Sequence, residues 1–193
     1  MTTDGVGAIE KWSGFKSWIY SLILGNPERS KAIVQFAGVG PGDRVLDVGC
    51  GPGSALRHAL DAGAESAAGV DPSPSMVKRA ANNVPEACFS EGSAEELPYE
   101  DGSFTKVWSV AAYHHWANQD RGVAEVMRVL ERSGAFYLAE RQLKKGTRGH
   151  GISEADAAES AQHISETFGV SARVEKMKAG SATYLVVIGE ASG

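Results

Sequence analysis

Residues 44–53 read RVLDVGCGPG, and this stretch decides the fold. Val45 to Val48 form a β-type run that passes directly into glycines at alternate positions, Gly49, Gly51 and Gly53. An apolar run ending in such glycines predicts a buried strand that breaks into a tight turn. The following SALRHALDAG predicts a helix closing at Gly63. Strand, glycine turn and helix make an element suited to cradling a nucleotide. Glycine lets the backbone take angles closed to other residues and lets a ligand approach closely. The first N–H groups of the helix stay free for polar contacts. Spacing then discriminates among ligands. The dinucleotide fingerprint is G-x-G-x-x-G, but its third glycine position is Ser54 here, and the glycines run G-x-G-x-G behind Asp47.

Working outward, 193 residues fit one domain with a core that needs no disulfides. A hydrophobic content of 42% and a charged content of 22% are ordinary for a globular chain. The formal net charge of -5 argues against a general nucleic-acid scaffold, which carries a basic face. Cys50 and Cys88 lack partners at metal spacing and read as reduced thiols, Cys50 as a small space-filler in the turn. The N-terminal MTTDGVGAIEKW lacks the basic start and apolar core of a signal peptide, and Trp18 to Leu24 is too short to span a bilayer. These features imply a cytoplasmic protein with no membrane span. The oligomeric state is left open.

Upstream of the turn, Ile9 to Leu24 has helical spacing and the aromatics Trp12, Phe15, Trp18 and Tyr20. It reads as a covering helix or as a flap over the ligand, with docking to a membrane surface as a third choice. Asn26 and Pro27 read as an N-cap and first helical position, opening a second helix to about Ala37. Downstream, Ala67 to Val70 predicts a second strand closed by Asp71, about 20 residues beyond the turn, where a strand-end acid meets a ribose in such folds. The alternative role for Asp71 is an acid at a helix start. Ser75 to Asn82 predicts a helix, with Met76 in its first turn as a core residue or an adenine contact. Ala87 to Ser90 and Phe104 to Val110 predict two further strands around EGSAEELPYEDGSF.

These segments resemble class I S-adenosylmethionine-dependent methyltransferases. D-x-G-x-G-x-G from Asp47 to Gly53 is similar to their signature. Gly92, Ala94, Leu97, Pro98, Asp101, Ser103 and Phe104, with Tyr99 as the aromatic, match the G-D-A-x-x-L-P-F-x-D-x-S-F-D pattern of the group resembling ubiquinone and menaquinone biosynthesis methyltransferases. The resemblance covers Arg44 to about Glu140. It implies an α/β fold of the Rossmann-like methyltransferase type: about seven strands, mostly parallel, with a C-terminal antiparallel hairpin and helices on both faces. It implies S-adenosylmethionine as cofactor. Asp47, Gly49, Gly51, Gly53, Asp71, Pro72, Met76, Ser93, Ala94, Glu95, Ser109, Val110 and Ala111 are the cofactor-binding positions that follow.

Two positions depart from the family. Ser93 replaces the acid that receives the adenine amino group, with Glu95 as a substitute source of charge, and Thr105 replaces the acid of S-F-D. Tyr113, His114, His115 and Trp116 follow the fourth strand, where ligands gather in open α/β sheets. Either histidine is a candidate general base, or the pair is a polar wall or helix cap. Adjacent histidines make a poor metal pair, and the sequence displays no third ligand, so no metal is expected.

Asp120 to Glu131 predicts a helix and Gly134 to Ala139 a fifth strand. Arg141, Lys144, Lys145, Arg148 and His150 make a basic loop, either solvated or facing an anionic acceptor. Ser153 to Phe168 predicts a capped helix, and Ser171 to Met177 with Thr183 to Ile188 a hairpin around Gly180. The expected organisation is one domain, 1–193: a helical cover at 1–38, a cofactor-binding core at 44–140, and a closing loop, helix and hairpin at 141–193. The expected activity is methyl transfer to a small, partly apolar molecule, with no nucleic acid. The alternatives are a non-catalytic binder or sensor of S-adenosylmethionine or its product, and a nicotinamide dehydrogenase. Ser54 and the terminal hairpin oppose the last.

Overall fold

The computed structural model describes residues 27–143 and 150–190. The proposed aromatic flap, the Asn26 cap, and Lys144, Lys145 and Arg148 lie outside the described residues. Strands run β1 (Arg44–Val48), β2 (Ser66–Asp71), β3 (Cys88–Glu91), β4 (Phe104–Val110), β5 (Leu130–Arg141), β6 (Ser171–Ala179) and β7 (Ala182–Glu190). Helices run α1 (Pro27–Phe36), α2 (Ser54–Asp61), α3 (Pro74–Asn83), α4 (Gln119–Val129) and α5 (Glu154–Phe168), with one 3-10 turn at Tyr113–His115. The seven strands form one sheet in the order β3-β2-β1-β4-β5-β7-β6. β3, β2, β1, β4 and β5 are parallel, while β7 is antiparallel to both β5 and β6. The expected seven-stranded sheet and closing hairpin are therefore both present.

Alternation along the strands makes two cores. Val45 and Trp108 join Ile33 of α1 and Leu56 of α2 on one face, while Leu46 and Val107 join Val126 of α4 and Ile164 of α5 on the other. Strands buried on both faces read as near-continuous apolar runs, as Ala67 to Val70 of β2 does. The hairpin turns at Gly180, whose φ of 56° is left-handed. Helix α5 opens on a capping box: Ser153 Oγ accepts the Asp156 N–H while the Asp156 carboxylate accepts the Ser153 N–H.

The largest boundary difference from the sequence reading lies before the fifth strand, where the helix expected to reach Glu131 ends at Val129. The expected loop between α4 and the fifth strand is itself strand, because β5 begins at Leu130 directly after the helix. The pairing with β4 slips between Phe104 and Lys106, so that Phe104 faces Leu130 but Lys106 faces Ala135. Gly134 sits in this irregularity, where a Cβ would lie 2.7 Å from Leu130 and 2.9 Å from the Thr105 carbonyl. Thr105 belongs to the same seam. Its hydroxyl accepts the Arg44 N–H at 3.0 Å and donates to Asp43 at 2.9 Å, so this departure from the family ties strand starts together, far from the carboxyl ends of the strands. The L-P-Y-x-D stretch is likewise a scaffold: Arg128 of α4 bonds the carbonyls of Leu97 and Tyr99 and the Asp101 carboxylate.

The glycine turn depends on room left elsewhere. A Cβ on Gly69 of β2 would sit 2.8 Å from Cys50 Sγ and 2.9 Å from Leu56 Cδ1. Gly69→Ala therefore forces the turn and α2 away from the sheet. Overpacking of this kind costs about 1–3 kcal/mol. Urea denaturation is expected to show a loss in that range, and an unchanged midpoint would mean that α2 yields freely.

Candidate functional site

The turn after β1 is built from left-handed glycines. Gly49, Gly51 and Gly53 have φ of 82°, 51° and 80°. The Gly49 and Cys50 N–H groups bond the Val70 carbonyl at 2.8 and 3.1 Å, holding the turn to β2. Asp71, 1% exposed, completes the attachment: Oδ2 accepts the Gly51 N–H and Oδ1 the Ser73 N–H, both at 2.9 Å. Burial pushes the Asp71 carboxyl up, partly offset by those two N–H donors. Asp71 thus serves both turn and helix start, because its Ser73 contact lies at the N-cap of α3. Each carboxylate oxygen keeps a second lone-pair site for a hydroxyl.

Asp47 of β1 stands opposite Trp108 of β4 in register. It is 4% exposed, and burial pushes its carboxyl up to about 7 against the opposing pull of the Trp108 indole and Arg29. The indole N–H lies close enough to favour the charged form, yet its nitrogen has no hydrogen bond of good geometry. A small pocket opens here between α1 and the turn, lined by Arg29, Ser30, Asp47, Gly49, Cys50 and Val110 among others. Cys50 fills space as expected, and burial raises its thiol well above the usual range.

On the other side of Asp71, β3 runs alongside β2 with Glu91 paired to Asp71, and Ser93 follows two residues later. Ser93 is exposed and Ala94 buried. The Glu95 carboxylate is already engaged: it accepts the Asn118 N–H at 3.0 Å and a bond from Ser93. These donors outweigh burial and pull its acid below the ordinary range. Pro72 is exposed at the mouth, and Met76 is buried yet joins neither hydrophobic cluster.

The carboxyl end of β4 completes the mouth. Ser109 is fully buried with no partner for its hydroxyl. Ala111 has a φ of 57°, the sole left-handed non-glycine among the described residues. Such strain persists only where its surroundings hold it, and it concentrates at functional sites. A Cβ on Gly49 would approach that of neighbouring Ala112 at 2.7 Å, so the two turns meet without spare room.

Beyond Ala111 the 3-10 turn presents His114 and His115. Glu140 of β5, 3% exposed, accepts the His114 main-chain N–H on Oε1 and holds ring Nδ1 at 2.9 Å on Oε2. The His114 and His115 ring centroids are 3.8 Å apart, and His150 lies 5.7 and 5.9 Å from them. Burial, then the neighbouring histidines, push His115 down to about 4, which keeps it neutral at pH 7.

The sequence reading thus placed the turn glycines, Asp47, Asp71 and the β4 end together. It missed the partners from α1, the Trp108 contact and the Glu140–His114 pair. It also expected no third ligand for the histidines, whereas the nitrogens of His114, His115 and His150 lie within 4.8 Å of one another. A signal for Glu140 was available: AFYLAE ends in an acid after an apolar strand, just as SAAGVD does. No helix among the described residues is long and apolar enough to cross a membrane.

Residues 46–138 match the family described as a methyltransferase domain. An uncharacterised methyltransferase of Synechocystis is 34% identical over 139 residues, which cover 67% of this chain and 65% of that protein. A 2-methyl-6-phytyl-1,4-hydroquinone methyltransferase of Synechocystis is 36% identical over 115 residues, covering 56% of this chain and 36% of that protein. The chain therefore matches less than two thirds of the length of either relative. The crystal structure of an S-adenosylmethionine-dependent methyltransferase from Aquifex aeolicus superposes with a TM-score of 0.70 at 19% identity, covering 90% of this chain and 97% of that one. The resemblance read from RVLDVGCGPG and LPYEDGSF and the fold class it implied are both borne out.

The buried Asp47 carboxyl gives a pH signature. Its folded value near 7 lies above the ordinary 3.8, so the folded state holds a proton that the unfolded chain has already lost. Its contribution is fully present below about pH 4 and is lost as pH rises toward 7, by at most about 1.4 kcal/mol per pH unit. Asp47→Asn removes this slope. Urea denaturation between pH 4.5 and 7 is expected to show the variant gaining on the parent as pH rises, and parallel curves would mean that Asp47 ionises freely.

Proposed function

We propose that the chain, whose residues 46–138 match a methyltransferase domain, is a class I, S-adenosylmethionine-dependent methyltransferase that binds S-adenosylmethionine across the carboxyl ends of β1, β2 and β4 and methylates a small, partly apolar molecule. The observation that carries this reading is the turn itself: left-handed glycines fastened to a buried strand-end acid, with a buried, unpartnered Ser109 hydroxyl near the carboxyl end of β4. A buried hydroxyl is normally paired, so this one fits a ligand that supplies its partner. Gly49 lets the turn pack directly against Ala112, where a Cβ would collide at 2.7 Å.

The bound cofactor supplies a methyl group on a positively charged sulfur, a leaving group that needs no proton. The residues have four tasks. The Asp71 oxygens accept from the ribose hydroxyls through their remaining lone pairs. Met76, Ser93 and Ala94 line the adenine side, with Pro72 at the rim. Asp47, Gly49, Gly51, Gly53, Val110 and Ala111 hold the methionine portion, where Asp47 favours a cationic ligand. His114 and His115 face the acceptor. With Nδ1 held by Glu140, Nε2 of His114 is the atom left to take a proton from an acceptor that carries one. Catalysis is then chiefly positioning and exclusion of water. The hydroquinone-methylating relative supports a partly apolar acceptor. The soluble, cytoplasmic reading is part of the same proposal.

Ser93 and the engaged Glu95 favour a second reading, a non-catalytic binder or sensor, because a neutral acceptor at the adenine is weaker than a carboxylate. Calorimetry with S-adenosylmethionine, S-adenosylhomocysteine and a nicotinamide dinucleotide, followed by methyl transfer to a panel of phenols and hydroquinones, separates the readings. Binding of the dinucleotide alone overturns both, whereas binding without turnover selects the sensor. Asp71→Ala is expected to weaken S-adenosylhomocysteine at least tenfold, about 1.4 kcal/mol, and an unchanged affinity removes Asp71 from the site. Ser93→Asp is expected to tighten binding, and a neutral outcome places the adenine elsewhere.

A further inference from the structure

Three of the chain's five histidines meet at one point, although the sequence separates the last from the first two by 34 residues or more. Two pieces of backbone bring them there. The 3-10 turn after β4 carries His114 and His115. His150 is returned to the end of β5 by a short parallel bridge, in which the Ile152 N–H bonds the Arg141 carbonyl at 2.9 Å and the Leu143 N–H bonds the Ile152 carbonyl at 3.0 Å. The imidazole of His114 is fixed by Glu140, which holds both its main-chain N–H and its Nδ1. That leaves Nε2, which is buried and has no hydrogen-bond partner.

We propose that His114, His115 and His150 form a binding site for a divalent transition-metal ion of the zinc type at the acceptor end of the crevice. The donor set is the three-histidine set of open zinc sites, which keep a fourth position for water or substrate. The Glu140–His114 pair is the carboxylate–histidine arrangement that orients a metal-ligating imidazole and fixes its tautomer. Three nitrogens around one zinc ion stand about 3.4 Å apart, from zinc–nitrogen bonds near 2.0–2.1 Å in tetrahedral geometry. Since the three already lie within 4.8 Å of each other, side-chain rotation closes the set without moving a strand. With Nε2 of His114 bound to an ion, that atom no longer takes the acceptor's proton; the ion takes over, and it would suit an acceptor that offers an oxygen or sulfur anion.

This inference goes beyond the methyl-transfer reading and stands apart from the cofactor, so its test omits the cofactor. The full chain is stripped with chelator and titrated calorimetrically with zinc, and then with cobalt, whose absorption reports coordination by nitrogen. The expected result is one ion per chain and a cobalt spectrum with tetrahedral character. His150→Ala, on an exposed segment, should weaken binding at least tenfold while circular dichroism stays unchanged. Glu140→Gln should weaken it 10–100-fold, the usual effect of losing such an orienting partner. Absence of binding in the parent chain overturns the proposal, and so does equal affinity in His150→Ala, since that would locate the ion at His58 or His163. Affinity for S-adenosylhomocysteine, measured on the same metal-free protein, shows whether the methyltransferase reading survives a negative result.

Discussion

The structure depends on one buried carboxylate. Asp71 ends β2, yet its two oxygens are spent on the Gly51 N–H and the Ser73 N–H, one in the turn after β1 and the other at the start of α3. A charged acceptor bonded to a backbone N–H is worth more than a neutral one, and a buried carboxylate without such donors is costly. The glycines need that anchor. The left-handed glycines alternate with Cys50 and Pro52, and the Gly51 N–H between them is held by Asp71. With Asp71 in place, β1, β2, α2 and α3 meet at a fixed point. The Gly49 and Cys50 bonds to Val70 reinforce it, and Gly69 allows Cys50 and Leu56 to close over the strand.

What could be read from the sequence follows from the range of the interactions involved. The strand–turn–helix around residues 44–61, the strand-end acid and the terminal hairpin are specified by local pattern: period, glycine position, caps. They were legible almost to the residue. The start of β5 was not, because LERSGA carries turn-like composition, and only the seam with Phe104 and Thr105 pulls it into the sheet. Arg128 was likewise invisible. Its contacts with Leu97, Tyr99 and Asp101 join segments nearly thirty residues apart, and periodicity along a chain carries no information about such a bond.

The candidate site divides along the same line. Glycine and acid positions around the turn were legible because the backbone chemistry of the turn demands those residue types. The acceptor end was half legible. His114 and His115 announce themselves, but what they can do depends on Glu140 and on His150. The first enters from a neighbouring strand, and the second from beyond a loop whose basic composition pointed to solvent or an anion instead. Ser93 shows the limit in the other direction. The sequence marks the missing acid clearly, and Glu95 looks like its replacement until the structure ties that carboxylate to Asn118.

Burial gives the strongest reason to regard this end of the sheet as functional. Among the described residues, the polar and charged side chains that are buried are Ser30, Asp47, Asp71, Ser109 and Glu140. Ser30 and Asp47 line the pocket beside the turn, Asp71 fastens the turn, and Ser109 and Glu140 each stand one residue before the end of β4 and β5. Stability alone would scatter or eliminate such groups, since each costs free energy unless paired. The acids solve the problem differently. Asp71 is held by backbone donors and Glu140 by His114, whereas Asp47 rises to about 7 and keeps its proton over much of the acid range. The Ser109 hydroxyl remains without a partner. A fold that is otherwise consistent with its sequence, and that gathers its buried polar exceptions near one end of the sheet, departs from stability there in the pattern expected of a functional site.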